Sequence, residues 1–418
     1  MGLATKHPAY NAQLEAWQKC RDCYEGEDKI KSEGAKYLPP TSGQVIDGLH
    51  IGERGSLAYL AYKMRARFPD MFGEAVRSFV GALHFKPAVI ELPSALKPLI
   101  EAATVQGESL QLLLRRINEA QLVTGRIGLL FDLPAEAVSG PVLPRIATYE
   151  AESIGNWDDG AVQEPVIQTL NLVVLDESGQ ERQPDLSWQA VNRFRVLVLG
   201  DPETNEPAGV YRQAVFEGEA DPMFDPSRLF EPVLRGQVLD QLPFVFINSA
   251  DLLSDPITPR LLGLANQCLG IYRGEADYRQ SLYMQGQDTL VTIGPTGRDK
   301  DEPTRIGAGA KIEVDLGGDA KFIGTNSSGI PEQRQAIEND KQEAAEMGGQ
   351  LLDTASRQKE SGEALKVRVA AQTATLKQVA LTAAEGLQTL LRIAAKWVGA
   401  DPMQVKIESR IESAFAHQ

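Results

Sequence analysis

The sequence predicts an α+β protein, and three observations predict it. Residues 1–125 read as amphipathic helices. Residues 126–249 hold short runs rich in Val, Ile, Leu, Phe and Tyr, bounded by Pro, Gly and Asp. The chain then turns helical again around one small strand-and-turn island. Helices followed by a block of strands point to an antiparallel or mixed sheet rather than to alternating βαβ units.

The elements follow in order. "NAQLEAWQKCRDCYEG" carries Leu14, Trp17 and Cys20 at helical spacing and stops at Gly26. "GSLAYLAYKMRARF" and "DMFGEAVRSFVGALH" are helices separated by Pro69-Asp70, with Asp70 as N-cap. "ESLQLLLRRINEAQLVTG" is a further amphipathic helix that ends at Gly125. "RIGLLFDL", "PRIATYE", "VIQTLNLVVLD", "NRFRVLVLG", "GVYRQAVFEG" and "LPFVFINS" read as strands. Thr258-Pro259 opens the next helix as cap and first turn. In it Leu262, Leu269, Ala276 and Tyr283 recur every seven residues, with Ala265 and Tyr272 between, as in a helix packed lengthwise on others.

"DTLVTIGP", "TRIGAGAKIEVDL" and "AKFIG" form the island at about 288–324, and a helix runs from near Pro331 to Leu352. The polar stretch "SRQKESGEA" (356–364) separates it from the longest helix. There Leu376, Val379, Ala380, Ala383, Leu387, Leu390, Leu391, Ala394 and Val398 keep a 3/4 spacing on one face. From Ala364 to Val398 that helix would span roughly 50 Å.

Composition excludes several classes. A formal charge of −15 argues against a protein that grips nucleic acid tightly, because clustered Lys and Arg supply that affinity. It is compatible with a protein that nucleic acid passes without sticking. Three cysteines are too few for a disulfide framework, which points to a reducing compartment. The N-terminal stretch lacks the layout of a signal peptide, and no apolar run approaches the roughly 18 residues of a membrane span.

Chemistry-bearing motifs are absent from the reading. Cys20-x-x-Cys23 sits on a helix with no second pair and no preceding strand, against a redox or zinc role. His7, His50, His84 and His417 show no metal spacing. "GPTGRDK" lacks the ending of a phosphate loop, Gly307-x-Gly309 reads as turn punctuation, and Asn326-Ser327-Ser328 is a sequon by letter only. Asp158 and Asp159 after Trp157 read as a turn. No catalytic residue, metal or cofactor is expected, and the chain is not expected to be an enzyme.

The stretch "LPFVFINSADLLSDPITPRLLGLANQCLGIYRGEADYRQSLYMQGQDTLVTIG" resembles the central signature of tailed-bacteriophage portal proteins, the head-to-tail connectors. Within them it is most similar to short portals of podovirus and prophage type. "WQKCRDCYEGEDKIKSEGAKYLP", "YEAESIGNWDDG" and "MGGQLLDTASRQKESGEALKVR" fit the same group, in the same order. The resemblance implies a portal fold with a helical and mixed-sheet wing, a two-helix stem, a small α/β clip and a long wing helix. Mapped onto this chain, 1–255 would be wing (helical 1–125, strand-rich 126–255) and 256–285 the first stem helix. Residues 286–328 would be the clip, 329–352 the second stem helix, 353–363 the tunnel loop and 364–400 the long wing helix. A C-terminal stub, 401–418, would leave little or no crown.

The implied function is a dodecameric ring at one vertex of a virion capsid, made in the host cytoplasm, through which double-stranded DNA is packaged and ejected. Implied partners are the terminase packaging motor, the major capsid or scaffolding protein and a tail adaptor, with no membrane. Arg357, Gln358, Lys359, Glu360 and Lys366 would line the DNA channel. Acidic stem residues Glu338, Asp340, Glu343 and Glu346 would keep contact with phosphates weak, since affinity for a duplex rises steeply with phosphates neutralised. Arg298, Lys300, Arg305 and Lys311, among Asp299, Asp301 and Glu302, would meet exchanging partners. The alternatives are a different ring-forming head–tail adaptor or structural virion protein, an acidic helical enzyme and, for 356–364, a plain solvated connector.

Overall fold

The computed structural model describes residues 2–133, 144–160, 170–200, 207–218, 220–285, 289–293, 317, 319–323, 329–348 and 362–410. Its helices are α1 (Pro8–Glu25), α2 (Glu27–Ser32), α3 (Ser42–Ile46), α4 (Arg54–Arg65), α5 (Met71–Leu83), α6 (Leu110–Val123), α7 (Leu262–Gln285), α8 (Ile330–Met347) and α9 (Gly362–Trp397). Its strands are β1 (Val89–Glu91), β2 (Arg126–Asp132), β3 (Arg145–Glu150), β4 (Ile154–Asp158), β5 (Leu172–Asp176), β6 (Gly179–Arg182), β7 (Trp188–Val191), β8 (Arg193–Gly200), β9 (Pro207–Glu217), β10 (Phe244–Asn248), β11 (Thr289–Ile293), β12 (Asp319–Ile323) and β13 (Lys406–Glu408). The architecture is α+β. Two compact units partition the chain: Met1–Tyr24, Phe72–Ala265 and Met347–Gln418 form the first, Glu25–Met71 and Asn266–Glu346 the second.

The first unit is built on two antiparallel sheets, ordered β10-β2-β3 and β4-β5-β8-β9. The near-continuous apolar run of β8 means that both faces of its sheet are covered. Val173, Leu175, Leu197 and Leu199 point into the main core, and Val174, Phe194, Val196 and Val198 into a second cluster with Leu3, Ala214 and Phe216. Helix α9, 36 residues or about 54 Å long, lays its stripe into the main core. Leu387, Leu390, Leu391 and Ala394 are fully buried there. Gly386 permits the close approach: a Cβ at that position would lie 2.5 Å from Ile247 Cγ1 on β10.

A polar cluster joins the two sheets. Arg195 on β8 donates to Asp132 at the end of β2 (2.6 Å), to Glu177 just past β5 (2.7 Å) and to Gln213 on β9 (3.1 Å). Tyr149 on β3 donates to the same Glu177 at 2.5 Å. Burial pulls the Arg195 guanidinium toward neutrality, and its two carboxylates outweigh that and raise its pKa.

Several expectations need correction. The helical first third also contains β1, which pairs with β13 in the segment read as a C-terminal stub (Val89 opposite Glu408). Three-residue strands carry too little periodicity to be seen locally. Among the described residues the strand ladders are antiparallel, one of the two arrangements expected, and the parallel contact is an isolated bridge, Thr104 to Ile146. Asp158, read with Asp159 as a turn, is the last residue of strand β4 and pairs with Leu172, while Asp159 lies just past the strand. The exposed β6–β7 hairpin, inserted between β5 and β8, was not anticipated.

Cys20, Cys23 and Cys268 are buried and form no disulfide, and burial pushes the Cys20 thiol up to about 12, so it stays protonated in the core. His7 stacks on Trp157 at 4.1 Å, and His84 shares a hydrogen bond with Asn118 at 2.8 Å. His50 is exposed; His417 lies outside the described residues. Among the described residues no helix is long and apolar enough to cross a membrane.

Candidate functional site

In the second unit, helix α7 leads into the antiparallel β11–β12 pair, and α8 returns from it. The helix contacts run in opposite order. Gln267 on α7 meets Glu343 (3.4 Å) and the Asp340 carbonyl (3.5 Å), whereas Gly274, seven residues on, faces Ile337 at 3.4 Å from its would-be Cβ. The glycine lets the second helix come close. Beside it Glu275, almost wholly buried, accepts from Lys341 of α8 (2.9 Å) and from Arg279 one turn on (2.8 Å).

The buried face of α7 is broader than a seven-residue stripe. Leu269 and Ala276 are buried, but so are Cys268, Ile271, Tyr272 and Glu275, a 3/4 pattern. Leu262 is half-buried, and Tyr283 leaves the stripe: it is exposed, with the Arg65 guanidinium 4.0 Å above its ring. The polar second half of the helix is thus partnered by α4, through Tyr62 to Asp277 (2.6 Å) and Arg65 to Gln280 (2.5 Å).

On α8, at about 100° per residue, Ile337, Lys341 and Ala344 share one arc, and Ile337 and Ala344 are its buried residues. Glu338, Glu343 and Glu346 are exposed outside that arc, while Asp340 is half-buried at its margin. Lys341 neutralises part of this: it lies 3.6 Å from Glu338 as well as against Glu275. The four acidic residues therefore do not act as one stripe. Glu338, Glu343 and Glu346 are exposed, and Glu343 and Asp340 flank the helix pair at Gln267.

Burial pushes the Glu275 carboxyl up, and the hydrogen bonds and charges of Lys341 and Arg279 outweigh it, so its pKa lies below the usual value. A lowered folded-state pKa adds stability above the unfolded-state value of about 4.3 and loses it as pH falls through the folded value. Glu275→Gln should cost about 1 kcal/mol at pH 7, the scale of one partly solvated charged pair. In paired thermal melts that difference should shrink as pH falls below about 4.3 and disappear only below the lowered folded-state value. A difference independent of pH would show that the ion pair contributes nothing.

Other expected site residues are placed as follows. Arg357, Gln358, Lys359 and Glu360, and Arg298, Lys300, Arg305 and Lys311, lie outside the described residues, as do Gly307-x-Gly309 and the sequon. Lys366 falls in the second turn of α9.

The sequence reading missed a buried clasp immediately before α7. Asn248, the last residue of β10 and fully buried, donates to Asp251 (2.7 Å) and to the carbonyls of Leu253 (2.9 Å) and Asp255 (3.0 Å). Gln121 on α6 donates to the Asn248 carbonyl, Arg260 to Ser249, and Ser254 to Asp159 at 2.6 Å. Arg126, fully buried, donates to the Ser254 carbonyl (3.0 Å) from between the Trp157 and Phe246 rings, 5.0 and 4.5 Å away. Burial lowers its pKa to about 9, partly offset by Asp255 and Asp251. The visible signal was the "INSADLLSDP" run: short polar residues that hydrogen-bond their own backbone, packed between a strand and a helix. The clasp holds the segment between β10 and Arg260 within the first unit. Among the described residues no group of three His, Cys, Asp or Glu side chains is arranged to hold a metal.

The family described as "Domain of unknown function (DUF4055)" matches residues 260–398, from the last clasp residue through α7, the hairpin, α8 and α9. No curated protein matches the chain. Among solved structures, a chain from the virion of a native gene transfer agent (GTA) particle aligns at TM-score 0.41 and 13% identity, over 89% of this chain and 90% of that one. A chain from the neck of the native GTA particle computed with C12 symmetry aligns at 0.38 and 13%, over 82% and 81%. One from the neck of the empty GTA particle computed with C6 symmetry aligns at 0.40 and 14%, over 83% and 82%. Such scores do not establish a common fold.

Proposed function

We propose that this chain is a portal-type subunit. Repeated around an axis as a dodecameric ring at one capsid vertex, it would surround a channel for double-stranded DNA and carry a packaging motor and tail adaptor. The observation that carries the reading is the helix–hairpin–helix of the second unit: α7 runs out, β11 and β12 pair, and α8 runs back. The stretch that resembles portal proteins begins just before β10 and runs through the clasp and α7 to the end of β11.

In this reading α7 and α8 are the stem, 286–328 the clip, 353–363 the tunnel loop and α9 the long wing helix. The outer arc of α8 is suited to a conduit: Glu338, Glu343 and Glu346 repel phosphate, and strong basic sites would hold a duplex that must slide. Arg357 and Lys359, one loop further on, would supply a small number of weak contacts.

Imaging the purified full chain by negative stain is the first test, with a ring around a central hole as the expected result. Arg357→Ala/Lys359→Ala then separates a DNA conduit from any other ring. Rings should form normally, because exposed substitutions shift stability by about 0.5 kcal/mol at most. Packaged DNA should be retained less well, with a flatter salt dependence. Normal retention by the double variant across a range of salt would overturn the channel assignment.

A further inference from the structure

The α3–α4 corner of the second unit is tightly built and displays large apolar side chains outward. Thr41 and Gln44 form a reciprocal cap at the start of α3 (2.9 and 3.4 Å), and Glu53 accepts from the His50 amide at 2.8 Å. Gly55 opens α4 pressed against the Gln44 and Gly48 carbonyls, where any Cβ would collide with backbone. The inner side of α4 is committed: Tyr59 donates to the Leu38 carbonyl, and Tyr62 and Arg65 hold α7.

Among the described residues the outer side has no such hydrogen-bonding partner within the unit. Leu57, Leu60 and Met64 lie at i, i+3 and i+7 on one face of α4, and Val45, Ile46 and Ile51 are exposed on α3 and in the turn between α3 and α4. Ile46 is 84% exposed and Ile51 wholly so. Together these residues leave on the order of 800 Å² in water, about what one partner buries in a stable interface. A flexible loop could collapse onto such residues. This corner is held open by its own hydrogen bonds, so little ordering is lost on binding.

We infer that this corner docks against a second copy of the chain. The inference rests on the ring reading above and names the face that closes it. A ring needs head-to-tail contacts between two different surfaces. The first unit carries a separate exposed apolar segment, with Met223, Phe230 and Val233 outward, as a counterpart.

The test is the full-length triple variant Leu57→Gln/Leu60→Gln/Met64→Gln, compared with wild type by light scattering after size exclusion and by far-ultraviolet circular dichroism. Glutamine keeps the helix propensity of these exposed positions. The expected result is an unchanged spectrum with association at least about tenfold weaker, so that monomer replaces ring. Rings of normal mass at the same concentration would overturn the inference while leaving the ring reading intact. The same holds if rings persist but no longer enter capsids, because the face would then belong to the capsid protein. Wild type that is monomeric at every concentration would sink the ring reading itself, and this inference with it. Should the triple variant misfold, Leu60→Cys replaces it: the native cysteines are buried, so thiol labelling reports on position 60. Labelling should be at least about tenfold slower in the assembled protein, and equal rates would overturn the inference.

Discussion

Arg195→Met is expected to destabilise the first unit by about 3–5 kcal/mol, the scale for breaking a buried ion cluster by removing one member. Arg195 is 18% exposed, and its two carboxylates are shielded to the same degree. Methionine fills much of the volume but leaves Asp132 and Glu177 without their cation in a shared, poorly hydrated site. Gln213 and Tyr149 would remain as donors, to Asp132 at 3.1 Å and Glu177 at 2.5 Å, and neither carries charge. Arg195→Lys should lose less, since it keeps the charge and forfeits the fork that reaches both carboxylates. Urea unfolding followed by tryptophan fluorescence reads the difference through Trp157 and Trp397. If methionine costs less than about 0.5 kcal/mol, as a surface substitution would, the two sheets are not joined by this cluster.

Trp397→Ala should cost a similar amount, about 3–5 kcal/mol, as for other large aromatics removed from a core. Trp397 closes α9 and is fully buried, its ring 6.3 Å from Tyr211 and 6.5 Å from Phe131. Its Nε1 donates to the Gln237 carbonyl at 3.1 Å, so alanine leaves both a cavity and an unpaired acceptor. The loss should spread along the chain. Val405 and Ile407, just beyond, are buried in the same core, and β13 pairs with β1. Amide hydrogens of 404–408 should exchange faster in the variant, and Trp397→Phe should recover most of the protection. Unchanged exchange in the alanine variant would show that β13 is held independently of α9.

The elements with strong local patterns were legible before any coordinates. The 3/4 stripe of α9, the amphipathic α5 and α6, and the apolar runs of β2, β8 and β10 each report burial through their own spacing, because side chains on one face of a helix or strand must share one environment. Long-range partnership could not be read this way. That Val89 lies opposite Glu408, that Arg126 sits between Trp157 and Phe246, and that Lys341 answers Glu275 are consequences of chain segments meeting in space. No local periodicity encodes the identity of a distant neighbour. The α3–α4 corner makes the same point in reverse: Leu57, Leu60 and Met64 have the spacing of a core stripe, yet α4 turns Tyr59 and Tyr62 inward and leaves those three in water. Spacing defines a face; only the packing of the other elements decides whether that face is covered.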